Sequence, residues 1–192
     1  MAVSRQDYLA RNARNPHVAG LLVAATAAGF TPLWFLMVAA IGGVGVLQSE
    51  SPFLVGFFLL VTPVNAYLVT RVSWRQWVAG RSVLATDRAA VVGAVIGVVS
   101  FLTLTAALFL TGHLVGAVSD PPTVAALLDV PGFFGGLVQF TLLAAAIGLF
   151  ATWGVPVVLS VGVALLLSRL DRDRRDGHGR TRRPNEHVRP PR

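Results

Sequence analysis

Residues 130–168 read VPGFFGGLVQFTLLAAAIGLFATWGVPVVLSVGVALLLS, 39 positions without an Asp, Glu, Lys or Arg. About 20 mostly apolar helical residues cross a hydrocarbon core about 30 Å thick. The stretch is therefore long enough to raise a choice between one crossing and a hairpin of two. A hairpin would turn at Thr152-Trp153-Gly154-Val155-Pro156 and leave only 157–168 before Arg169. Those residues rise only about 18 Å as a helix, too little for a second crossing. A single crossing is predicted.

Outward from this stretch the same pattern recurs. Residues 15–49, 51–70 and 89–119 are also free of charge, over 35, 20 and 31 positions. All 25 charged residues are compressed into the rest of a 192-residue chain whose mean hydropathy is +0.67. Scattered charges at this composition would leave gaps of roughly seven residues, so the segregation marks a membrane protein rather than a soluble enzyme. None of the four stretches carries the polar stripe of a helix buried in a soluble core. Backbone in lipid must satisfy its own hydrogen bonds, which makes each crossing helical. The predicted fold is an all-α integral membrane four-helix bundle with kinked transmembrane helices. Its spans are about 18–47, 52–70, 89–118 and 133–168. There is no cysteine, which excludes disulfides and thiolate metal sites.

Arginine sets the orientation, because there is no lysine. Arg5, Arg11 and Arg14 precede the first span. Arg71, Arg75, Arg81 and Arg88 occupy the loop 71–88, and nine more lie in the tail 169–192. The opposite connections carry only Glu50, Asp120 and Asp129. Four crossings place every arginine on one side, so the positive-inside rule predicts cytoplasmic N and C termini. The N-terminal apolar stretch exceeds the length of a signal-peptide core, and retention is predicted. The predicted location is a prokaryotic cytoplasmic membrane, crossed several times. Arginine in place of lysine is read as the mark of a GC-rich genome.

Counting about 20 residues outward from the arginines puts the far membrane edge near Met37, Ser51, Leu108 and Leu149. Residues 38–49, 109–119 and 130–148 then project beyond it. Two alternatives stand for them: a small apolar cap in which they pack on one another, or uneven helix ends with an interfacial loop. In the outer loop 119–132, Asp120 followed by Pro121 predicts a short interfacial helix. Residues 1–16 are read as a short surface helix with Ser4 and Asp7 as a capping pair. The tail 169–192 has almost no apolar residues and is predicted to be disordered.

Few residues carry chemistry. No acid or base lies inside the spans, no His-Glu-x-x-His pattern or phosphate-binding glycine loop occurs, and His17 and His113 fall at opposite ends. No catalytic, cofactor-binding or metal site is assigned. Pro32, Pro63 and Pro156 are predicted helix kinks, each removing a backbone hydrogen bond. Kinks serve packing, or they open a solute path. Thr62, Asn65 and Tyr67 are the candidate solute-lining residues. Asn65 is the only amide within the 20 residues counted from each inner end. Ala89, Gly93 and Gly97 form one small face of the third span, a helix-packing face for the bundle centre or a dimer. Trp74 and Trp77 beside Arg71 and Arg75 have the composition of a headgroup anchor.

The sequence thus points first to a non-enzymatic membrane subunit, scaffold or accessory protein acting through helix contacts and a basic cytoplasmic surface. The alternative is a facilitator or channel for a small uncharged solute. The predicted partners are membrane lipids with anionic headgroups at the inner face, and a membrane-protein partner or second copy. Nucleic acid is not expected, and neither is a cofactor.

Overall fold

The computed structural model describes residues 12–42, 52–78, 85–119, 130–152 and 154–180. These residues form five helices: α1 (Pro16–Gly42), α2 (Pro52–Trp77), α3 (Thr86–Ser119), α4 (Val130–Ala151) and α5 (Val155–Arg180). Four of them, α1 to α4, are long and apolar enough to cross a membrane. The elements among the described residues are therefore all helical, and the chain has the make-up of a multi-pass membrane protein.

The first helix begins where local chemistry requires it. The Asn15 side chain accepts the His17 N–H at 2.9 Å, and the Asn15 carbonyl accepts from Ala19 at 3.1 Å. Asn15 is thus the cap and Pro16, which has no N–H, takes the first helical position. The predicted surface helix over 1–16 lies outside the described residues except for a turn at 12–15.

Neighbouring helices run antiparallel. Gly20 of α1 meets Tyr67 of α2, while Phe35 of α1 meets Phe58 further along. On α3, Gly93 faces Val161 and Gly97 faces Val157 of α5; Phe101 faces Gly148 and Phe109 faces Gly136 of α4. So α4 and α5 lie end to end along one side of α3, whose 34 residues make a splint about 51 Å long. The single crossing predicted for 133–168 is a run of two helices broken at 152–154. It is neither continuous nor folded back as a hairpin.

The break has a clear local cause. The Gly154 N–H reaches the Leu149 carbonyl at 2.8 Å, five residues back, and Gly154 adopts φ +65°. That left-handed conformation suits a residue without a Cβ. The Val155 N–H returns to the Thr152 carbonyl, and Val157 and Val158 both donate to the Gly154 carbonyl to start α5. Pro156 sits in this first turn, where a missing N–H costs least. Pro32 and Pro63, by contrast, lie inside unbroken α1 and α2.

The arginines within these residues gather at one end: Arg14 before α1, Arg71 and Arg75 late in α2, Arg88 in the first turn of α3, and Arg169 onward in α5. Here α1, α2, α3 and α5 close into a ring around Ala19, Trp74, Ile96 and Leu167, each almost wholly buried. At the far end the ring is incomplete. There α4 packs against α3 and makes no interface of comparable extent with α1.

Two boundaries move beyond those predicted. First, α2 continues through Trp77 rather than stopping at Thr70, because its last two turns are two-faced. Thr70, Trp74 and Val78 are buried while Arg71 and Arg75 are exposed. Second, the stretch 169–180, predicted to be disordered, is helical. Asp171 is the reason: Arg14 grips its carboxylate with Nε at 3.0 Å and Nη2 at 2.9 Å, and Arg175 adds a contact at 3.3 Å. Arg172 also hydrogen-bonds Thr86 at the start of α3. The rest of the tail and the predicted helix after Asp120 lie outside the described residues.

Candidate functional site

A cavity of about 420 Å³ occupies the centre of the bundle, and all five helices contribute to its wall. It spans Gly97 to Leu108 of α3, from about 16 to 33 Å above Thr86 along that helix. Toward the arginine-rich end its wall stops above the ring core, since Ala19, Trp74, Ile96 and Leu167 do not line it. None of its lining residues is charged. Aromatic side chains from three helices supply much of the surface: Phe30, Trp34 and Phe35 of α1, Phe58 of α2 and Phe101 of α3.

The polar lining divides into two kinds. Most hydroxyls are spent on their own helix. Thr26 donates to Leu22, Thr31 to Ala27, Thr152 to Gly148 and Ser160 to Pro156, each at 2.8–2.9 Å to a carbonyl four residues back. Such back-bonding lets a hydroxyl sit in an apolar wall at little cost. The second kind is a patch on the α2–α3 seam. Asn65 Nδ2 donates to the Ser100 carbonyl at 2.8 Å, and Thr103 Oγ1 donates to Asn65 Oδ1 at 2.8 Å. Thr62 lies one turn before Asn65 on the same face. The Thr62 and Ser100 hydroxyl oxygens are buried and have no hydrogen-bond partner. A buried hydroxyl left unpaired costs roughly 1–3 kcal/mol. Neither oxygen has surface open to a water-sized molecule, so the group of this seam left for a guest is the Asn65 amide, with its second N–H and second lone pair.

Of the three candidate lining residues, Thr62 and Asn65 are in this wall and Tyr67 is not. The Tyr67 hydroxyl meets His17 Nδ1 at 2.8 Å, and its ring lies over Gly20. A Cβ on Gly20 would come within 2.9 Å of that ring, so the glycine is what lets α1 and α2 approach there. Of the prolines, Pro156 touches the cavity. The small face of α3 packs within the protomer: Ala89 is fully buried, and a Cβ on Gly93 would sit 2.6 Å from Val161 Cα. The two tryptophans part company, Trp74 being buried in the core and Trp77 exposed. Trp74 therefore faces protein where a headgroup contact was predicted; Trp77, with exposed Arg71 and Arg75, keeps an outward position.

The sequence alone does not single out Ser100, a lining residue, or Thr103, which is exposed and outside the wall but holds the Asn65 amide. Hydroxyls occur in every span, and only the approach of Asn65 separates these two from the rest. At the far end, His113 is held by Phe109: its Nδ1 is 2.9 Å from the Phe109 carbonyl and the rings lie 3.9 Å apart. Phe133 and Phe140 of α4 complete this cluster. Thus two of the three predicted outer extensions pack on each other, while 43–49 lies outside the described residues. Among the described residues, no three His, Asp or Glu side chains come together as a metal site would require. Comparison with known proteins finds no matching family model, no match among curated proteins and none among solved structures.

Proposed function

We propose that this membrane protein binds a small uncharged solute inside its helix bundle and acts as a facilitator for it, with no covalent chemistry. The observation that carries this is the cavity itself. It is central, free of charge, walled by aromatic rings, and provided at one seam with the Asn65 amide and two unpaired hydroxyls. Sites of this kind are mostly apolar with a few placed polar groups. An ion would lose its hydration shell here and gain no opposite charge, which favours a neutral guest. In this proposal the arginine-rich end faces the cytoplasm, in line with the positive-inside rule, and its guanidinium groups contact anionic headgroups.

The test is solute efflux from proteoliposomes containing the full chain, followed by light scattering with urea and glycerol as neutral probes. Efflux above the protein-free rate, cut at least threefold by Asn65→Leu and by the cavity-filling Ala144→Phe, is the expected result. Rates equal to those of empty vesicles would reject the facilitator.

A second reading, a subunit of a larger membrane assembly, draws on α4. Among the described residues that helix has its main interface with α3 and leaves Phe134, Leu143, Ile147 and Phe150 exposed. A companion protein retained at fixed stoichiometry in mild detergent, with no efflux, would favour it.

A further inference from the structure

We infer that the cavity takes its guest sideways from the lipid, and that the guest is an amphiphile with one neutral polar head and an apolar body. This rests on the solute-binding proposal and narrows it. At the arginine-rich end α1 packs against α5, and the ring is shut around Trp74 and Leu167. The cavity wall stops short of that ring, since neither Trp74 nor Leu167 lines it. One level higher, α5 gives way to α4 at the Thr152–Gly154 break, and among the described residues α1 makes no interface with α4 to match the one it makes with α5. Both flanks of the missing interface nevertheless line the cavity: Phe30 and Trp34 from α1, and Ala144, Gly148 and Ala151 from α4. One flank is aromatic and the other is small, a slot rather than an interlocked seam. Ala151, a lining residue on the last turn of α4, is exposed, so this edge faces the surroundings. Gly148 packs on Phe101, inside the 20 residues counted from the inner end of α3 rather than beyond the far edge, and at that level the surroundings are acyl chains.

The helix order fixes how a guest would lie. Around the ring the neighbours are α1, α2, α3 and then α4 or α5, so the α2–α3 seam is opposite the α1–α4 slot. Asn65, Thr62 and Ser100 are on that far seam. A molecule entering from lipid would meet aromatic and aliphatic wall first and polar groups last. Its head would be an amide, hydroxyl or carbonyl, able to pair with the second N–H or second lone pair of the Asn65 amide, and its body would stay among Phe30, Trp34 and Phe58. A charged head is disfavoured, since no ionised side chain lines the cavity to offset its desolvation.

The test is photolabelling of the full chain in vesicles with an octanol that carries a diazirine, followed by peptide mapping. An octyl ammonium bearing the same diazirine serves as the charged control. We expect adducts on α2 and α3 peptides spanning Thr62 and Ser100, reduced at least fivefold by excess octanol and absent with the ammonium probe. Ala144→Trp should reduce them at least fivefold by filling the slot. Ala151→Trp, at an exposed rim position, is the variant less able to disturb folding, and should reduce them at least twofold. Adducts confined to lipid-facing residues such as Leu143 and Phe150, or adducts insensitive to both variants, would overturn the lateral route. A second copy crosslinked across the α1–α4 slot, with no cavity labelling, would overturn it as well. Urea or glycerol efflux that persists with no cavity labelling would sink the lateral inference and leave the facilitator standing. Loss of both would reject the two together.

Discussion

Along its first half, α3 meets α5 backbone to backbone; along its second half it meets α4 through side chains. In the first region a Cβ added to Gly93 would fall 2.6 Å from Val161 Cα and 2.8 Å from the Ser160 carbonyl, and one on Gly97 would fall 2.7 Å from Val157 Cα. In the second, Phe101 covers Gly148 and Phe109 stacks with Phe133 and Phe140. Lipid tails are as apolar as leucine, so helices in a membrane are held by close packing and polar contacts rather than by expulsion of water. The glycine seam gains dispersion over the whole backbone. The aromatic seam gains it through a few rings and leaves most of α4 open to the surroundings. One helix thus builds a rigid closed end and a looser open one, with the cavity where the two meet.

The comparison is broken most directly at Gly93. Gly93→Ala forces a methyl group into backbone that has nowhere to move, because Val161 and Ser160 belong to the facing helix. Overpacking of this kind should cost about 3 kcal/mol. Gly112→Ala, at a glycine with no neighbour within 4 Å, meets no obstacle and should be neutral or stabilising by up to about 1 kcal/mol through helix propensity. Unfolding of the purified protein by SDS titration measures both. Equal midpoints for the two variants would mean that the two halves of α3 do not differ as described.

Asp171 tests what else holds the closed end. It lies 157 positions from Arg14 in sequence, and their bidentate pair ties α5 to the start of α1. Its side chain is 7% exposed, whereas that of Arg14 is 32% exposed, so the pair is only half withdrawn from solvent screening. Asp171→Asn keeps the shape and removes the charge, and should cost about 1–2 kcal/mol. Amide exchange over 169–180 should accelerate at the same time. Unchanged exchange there would show that α5 persists by its own propensity, and the comparison would then rest on the glycines alone.

Much of this division is legible in the sequence, and the part that is not has identifiable causes. Guanidinium groups do not enter hydrocarbon, so charge-free runs and arginine blocks reveal the helices and their common end. The break near Gly154 is visible as a candidate turn. Its outcome is not, because two collinear helices need a straight neighbour, and only the packed structure shows α3 in that role. Three glycine pairs share one spacing, at 93–97, 112–116 and 132–136, yet Gly93 and Gly97 meet facing backbone while Gly112 has no neighbour within 4 Å and Gly136 meets the Phe109 ring. Spacing encodes a face and not its partner. Trp74 is hidden in the sequence because Arg71 ends the charge-free run three residues before it; along a continued helix Thr70, Trp74 and Val78 form one buried stripe beside exposed Arg71 and Arg75. The tail's average polarity likewise hid Asp171, whose partner is at the other end of the chain. As for the cavity, no single helix contains it; it arises from the order in which five helices close and fail to close a ring.

The aromatic seam gives the smallest and most discriminating effect. Phe109 touches His113 on its own helix and Phe133 and Phe140 on α4, with ring centroids 3.9 to 5.6 Å apart. In a water-soluble core, trimming such a ring would expose apolar surface and leave a void. Here lipid tails can reach α4 from its open side and refill part of the space. What Phe109→Leu loses is the ring–ring geometry, worth about 0.5–1.5 kcal/mol for an aromatic pair. The expected loss is about 1 kcal/mol by the same SDS titration, well below that of Gly93→Ala although far more atoms are removed. If Phe109→Leu instead matched or exceeded Gly93→Ala, the far end would be as tightly determined as the near one. A slot between α1 and α4 that admits a guest would then lose its physical basis.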